Sequence, residues 1–130
     1  MTTREEKYGE RSLIFSAWIR ENLPDSSTGF CVTNQDWIFY NWRKKRLILA
    51  EEKTNLGYVA DWFKQLISDV IDPALSEYCP KHGIDYRGYY IIKFDNEGPE
   101  DSDIILLEKI SDKKHSITSE QLKILLSMED

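Results

Sequence analysis

The sequence predicts an α/β domain in which a central mixed β-sheet is flanked by helices. Three observations carry that expectation. Apolar residues recur at helical spacing around 13–18 and 59–70, short apolar runs rich in Ile, Leu, Tyr and Phe lie between and beyond them, and Gly, Pro, Asn and Asp punctuate the boundaries. The 130 residues suit one domain spanning 1–130, because a single core typically organises about 100 to 200 residues.

From residue 8 to 22, Leu13, Ile14, Ala17 and Trp18 keep the helical period, and Pro24 stands just past the end. An amphipathic helix is expected there. Glu10 falls at the head of its core-facing stripe, where it can either reach a site on the sheet or serve only as a first-turn acid favoured by the helix dipole. Residues 29–33 then read as a strand. Asp36-Trp37-Ile38-Phe39-Tyr40 and Leu47-Ile48-Leu49-Ala50, the latter running into Glu51-Glu52-Lys53, read as two more, and a three-stranded meander is the simplest arrangement. After a turn over 54–57, Val59, Trp62, Phe63, Leu66, Ile67 and Val70 predict a long helix, which Pro73 should kink or end near Asp72. Residues 89–94 and 104–107 predict further strands across an acidic loop. Thr118 and Gln121 match a capping box that opens a helix over 120–128, with Leu122, Leu125 and Leu126 toward the core.

Side chains alternate along a strand, so Glu51 and Lys53 share one face and Glu52 takes the other. Folding back at 41–46 can bring Asp36 beside Glu51. Two carboxylates and an ammonium would then converge at the end of a rigid strand. That set suits phosphodiester hydrolysis with a hard cation: the carboxylates anchor Mg2+ or Mn2+, water and phosphate fill its remaining positions, and the lysine orients the attacking water or stabilises charge growing on the phosphate. The plainer alternative is that these charges are simply solvated at a strand end.

Other residues divide in the same way. Trp42 beside Arg43, Lys44, Lys45 and Arg46 could stack on a base and grip a nucleic-acid backbone, although solubilising charge at a hairpin tip explains the same cluster. Lys93 reads as a solvated lysine. Cys79-Pro80-Lys81-His82 has Cys-x-x-His spacing, but structural zinc sites pair two such motifs, so the segment reads as a loop without a metal role.

The net charge of −6 argues against attraction of the whole molecule to nucleic acid and leaves a local patch as the route. Two cysteines are too few for a disulfide framework, no apolar stretch approaches the roughly 18 residues of a membrane span, and residues 1–6 lack the apolar core of a signal peptide. A cytoplasmic protein with reduced thiols and no membrane association is expected.

Helix, three strands, helix and strand, with Asp at the second strand and Glu-x-Lys ending the third, resembles the PD-(D/E)XK nuclease superfamily, which includes restriction endonucleases and archaeal Holliday-junction resolvases. The resemblance covers residues 8–94 and implies a restriction-endonuclease-like α-β-β-β-α-β core. Asp36 matches the metal-binding aspartate, Glu51 the second acidic ligand and Lys53 the lysine. Gly9-Glu10 resembles the first-helix glutamate of the resolvase branch, and Gln65 a glutamine common in several branches, though by spacing it equally reads as a solvated amide. Gln35 stands where the signature has proline. The resemblance implies a Mg2+- or Mn2+-dependent endonuclease acting on nucleic acid, DNA foremost. Asp36 and Glu51 would hold the metal, Glu52 would help through its backbone carbonyl, and Glu10 and Gln65 would be accessory. Double-strand cutters of the superfamily often dimerise, so a homodimer is a further expectation. The alternative is a member that has lost its chemistry and serves as a protein-binding or regulatory module, as in a phage or mobile element.

Overall fold

A computed structural model of the chain describes residues 14–29, 35–110 and 114–130. The backbone gathers into two units, Met1–Asn34 and Gln35–Asp130. In the first, residues 14–22 form helix α1, which agrees with the expected helix as far as it is described. The Phe15 ring stacks on Trp18 at 6.2 Å, and Asn22 donates from its side-chain amide to the Trp18 carbonyl at 2.8 Å near the helix end. Glu10 lies outside the described residues. So does the expected strand over 29–33, apart from Gly29, which is in a turn.

The second unit is built on a hairpin. Strands β1 (Trp37–Asn41) and β2 (Arg46–Lys53) pair antiparallel, and the Asn41 carboxamide oxygen accepts from the amides of Arg43 and Lys44 to tighten the turn. β2 is apolar on both faces through Leu47-Ile48-Leu49-Ala50, the composition of a strand covered on both sides. It lies inside a five-stranded mixed sheet of order β1-β2-β3-β4-β5, where β3 is Asp85–Phe94, β4 is Ile105–Lys109 and β5 is Lys114–Ile117. Only β2 and β3 run parallel, and antiparallel partners complete each side.

A parallel pair needs a crossover, and helices supply it. Helix α2 (Asp61–Leu66) passes through a π-helical stretch, Ile67–Ile71, into helix α3 (Asp72–Lys81). Pro73 was expected to kink or end the helix. The chain instead stays helical to Lys81, because the widened π turn precedes Pro73 and places it in the first turn of α3, where its missing N–H costs nothing. Cys79 and His82, expected in a loop, therefore sit at the end of a helix: Cys79 is buried, and the His82 ring stacks on Tyr78 at 3.8 Å.

Two apolar cores cover the two sheet faces. Leu49, Tyr89 and Ile91 pack under Val59, Phe63 and Ile67, so α2 lies over this face. On the other face Ile48, Ala50, Tyr90, Ile92, Ile105 and Leu107 pack under Leu122, with Leu125 and Leu126 partly buried, from helix α4 (Ser119–Ser127). Thr118 and Gln121 form the expected capping box reciprocally. The fold is thus α/β with a mixed sheet between helices. β3 begins four residues earlier than its apolar run, through a bulge at Gly88, whose φ of +121° only glycine adopts easily. Among the described residues no helix is long and apolar enough to cross a membrane.

Candidate active site

Asp36 immediately precedes β1, and Glu51 and Lys53 end β2, so the hairpin register decides whether they meet. Trp37 pairs with Ala50, which carries Asp36 alongside Glu51 and the Glu52 amide. The Glu52 N–H donates to Asp36 Oδ2 at 3.0 Å, and the Asp36 carboxylate also lies within hydrogen-bonding reach of Glu51. Glu51 is only 6% exposed, and its Oε1 is buried with no hydrogen-bond partner. Burial first, and the neighbouring Asp36 second, push its pKa up to about 7, against a smaller opposing pull from Lys53. A buried carboxylate is thus set against the exposed carboxylate of Asp36, and a cation between them would offset both the burial and the like charge. The alternation expected from sequence is present: Glu51 and Lys53 face α2, while Glu52 turns to the opposite face and accepts from Trp37 Nε1 at 2.7 Å.

Gln35 positions this corner in a way that sequence reasoning missed. Its Nε2 donates to the carbonyls of Trp37 at 3.1 Å and Ala50 at 2.9 Å, and its Oε1 accepts from the Tyr89 hydroxyl at 2.9 Å. The residue before Asp36 is thereby stapled to β2 and β3 at once. Tyr89 is fully buried, and burial is the main cause holding its hydroxyl pKa up at about 12, so it remains a neutral donor. The Lys53 stem lies along Gly57, where a Cβ would stand 3.5 Å from that of the lysine.

Cations gather on the same face. Lys93, the register partner of Lys53 on β3, is half-buried, and Lys64 of α2 reaches Glu108 of β4 at 3.5 Å. Burial, followed by the charges of Lys114 and Lys64, lowers the pKa of Lys93, with Glu108 opposing. Strand parity held the signal for Lys93, since it shares a face with Tyr89 and Ile91.

Gln65 is not brought to the pair. It is exposed on α2, about 200° around the helix from both buried Phe63 and buried Ile67, and so points away from the sheet. The basic hairpin stands at the opposite end of β2, about 17 Å from Glu51 along the strand. There Lys44 Nζ donates to the Glu129 carbonyl at 2.8 Å and Arg46 to the Met128 carbonyl at 2.7 Å, capping the end of α4. Arg43 lies over the Trp42 ring at 5.0 Å, and Lys45 takes the left-handed turn position with φ 55°.

A hard cation asks for oxygen ligands with an unsatisfied charge, and the orphaned Glu51 oxygen beside Asp36 fits that demand. Among the described residues no group of three or more His, Cys, Asp or Glu side chains gathers, so the pair would be completed by backbone oxygen, water or substrate. The chain matches no protein-family model, no curated protein and no solved structure.

Proposed function

We propose that the chain is a divalent-metal-dependent nuclease with a restriction-endonuclease-like core, hydrolysing phosphodiester bonds of nucleic acid, DNA foremost. The observation that carries this reading is Glu51, a buried carboxylate with an unpartnered oxygen set against a second carboxylate. Left bare and ionised, such a pair costs stability; with a cation it becomes a binding site. Further support comes from the hairpin β1–β2 followed by a helical crossover to a parallel β3, which matches the second and third strands, the helix and the following strand of the order by which the sequence resembles PD-(D/E)XK nucleases.

Asp36 and Glu51 would hold the cation. Bound there, Mg2+ or Mn2+ would polarise a phosphoryl oxygen and acidify a water. Lys53, on the same face and two residues on, would orient the attacking water or offset charge developing on the phosphate. Gln35 and Tyr89 keep the two carboxylates in register without entering the chemistry.

The test is cleavage of single-stranded, double-stranded and branched DNA in magnesium, manganese and EDTA. Metal-dependent cutting that falls at least about 100-fold in Asp36→Asn, Glu51→Gln and Lys53→Ala, with circular dichroism unchanged, is the expected result. A wild type that cuts nothing would overturn the reading. It would favour a protein-binding module, for which the exposed Ile38 and Tyr40 of β1 and the adjoining Trp42 are the observation.

A further inference from the structure

The face that carries Glu51 and Lys53 continues across the sheet, and its charge changes sign along the way. Glu51 is level with Ile91, Ile91 with Glu108, and Glu108 with Lys114; one step further, Lys53 is level with Lys93. Residues directly paired in register point to the same face, so Lys53, Lys93 and Lys114 form a diagonal row beside the carboxylate pair. Lys64 closes it from above. The acid within that row, Glu108, is already engaged by Lys64 at 3.5 Å. Lys53 and Lys93 also stand at the carboxyl ends of the two parallel strands, where open α/β sheets place their ligands.

We propose that this row is the substrate's path: the phosphate backbone of a polynucleotide leaves the carboxylate pair over Lys53 and Lys93 and runs toward Lys114 on β5. The inference rests on the nuclease reading of Asp36 and Glu51. From β2 to β5 the sheet spans about 14 Å, which accommodates roughly four nucleotide steps at the ~3.4 Å rise of one strand. A bound anion also supplies what the cluster lacks, since Lys93 is half-buried and faces the like charges of Lys114, Lys64 and Lys53 with only Glu108 opposing them. The alternative footing, the hairpin over 42–46, lies at the far end of β2, and two of its cations are spent on the end of α4.

The full chain is titrated at pH 7 in EDTA with fluorescently labelled single-stranded and duplex 20-nucleotide DNA, over a range of salt concentrations, so that binding is read without turnover. Lys93→Gln and Lys114→Gln should each weaken binding and reduce the slope of log K against log salt by about 0.7 to 0.9. Lys93→Arg should restore the slope, and Lys81→Gln, an exposed lysine paired with Glu77, should leave it unchanged. Lys114 is exposed, so its variant tests the path even where Lys93→Gln perturbs folding. A wild type that binds while both variants keep its slope, or a loss confined to Arg43→Gln and Lys45→Gln, overturns the path and leaves the nuclease reading standing. A wild type that neither binds nor cuts overturns both.

Discussion

At Glu51 burial and a like charge act in the same direction, and both favour the protonated acid. The folded-state pKa of about 7 lies above the ordinary value of 4.5, so the native state holds a proton that the unfolded chain releases. Stability from this group is therefore complete below the ordinary value and is lost as pH rises through about 7. Glu51→Gln should abolish that fall and, in EDTA at pH 8, raise stability by roughly 1 to 3 kcal/mol while removing activity; urea unfolding at pH 5 and pH 8 measures both sides. A variant less stable than wild type at pH 8 would contradict the account. Gln35→Ala should act oppositely. It strands the buried Tyr89 hydroxyl and frees the backbone before Asp36, costing about 1 to 3 kcal/mol and weakening metal binding, whereas Gln35→Glu should retain the acceptor toward Tyr89. Denaturation with and without manganese separates the two effects. The convergence of Asp36, Glu51 and Lys53 was legible from strand parity and a short turn. Gln35 was not, because its partner Tyr89 is 54 positions away in the chain and no local pattern encodes that meeting.

Elements whose signals are local form where adjacent residues place them. The apolar run of β2 and the capping box of α4 each follow from adjacent residues, and both occur where expected. Thr118→Ala should cost about 1 kcal/mol and fray the start of α4, seen as a lower melting temperature and faster amide exchange at Gln121. An unchanged melting temperature would mean that packing of Leu122 alone holds the helix. Elements that depend on partners were harder. β5 carries a single apolar residue, Ile117, and exists because β4 offers it an edge. The first half of β3 hides behind Gly88, which reads as a breaker but serves a bulge; a Cβ there would meet the Lys109 side chain at 2.6 Å. The helical path through Pro73 depends on a π turn, which leaves no composition signal.

For the molecule as a whole, net charge of −6 coexists with a cationic row on one sheet face, so the field that a nucleic acid meets depends on the side it approaches. Metal binding should be visible globally. Manganese at about 100 times its dissociation constant should stabilise the wild type by about 2.7 kcal/mol, a rise of several degrees in melting temperature, and leave Asp36→Asn unmoved. Equal shifts in both proteins would place the ion elsewhere.

The sequence alone determined the α/β class, the hairpin, the helices over each sheet face and the face shared by Glu51 and Lys53, because these follow from periodicities of two and 3.6 and from caps and turns a few residues long. The tertiary structure alone decided that Glu51 is dry and unpartnered, that Gln35 bridges β2 to Tyr89, that Gln65 faces outward, and that lysines from separate strands and a helix line one face. Desolvation and charge clustering arise from residues far apart in the chain, and only the packed register of the sheet brings them together.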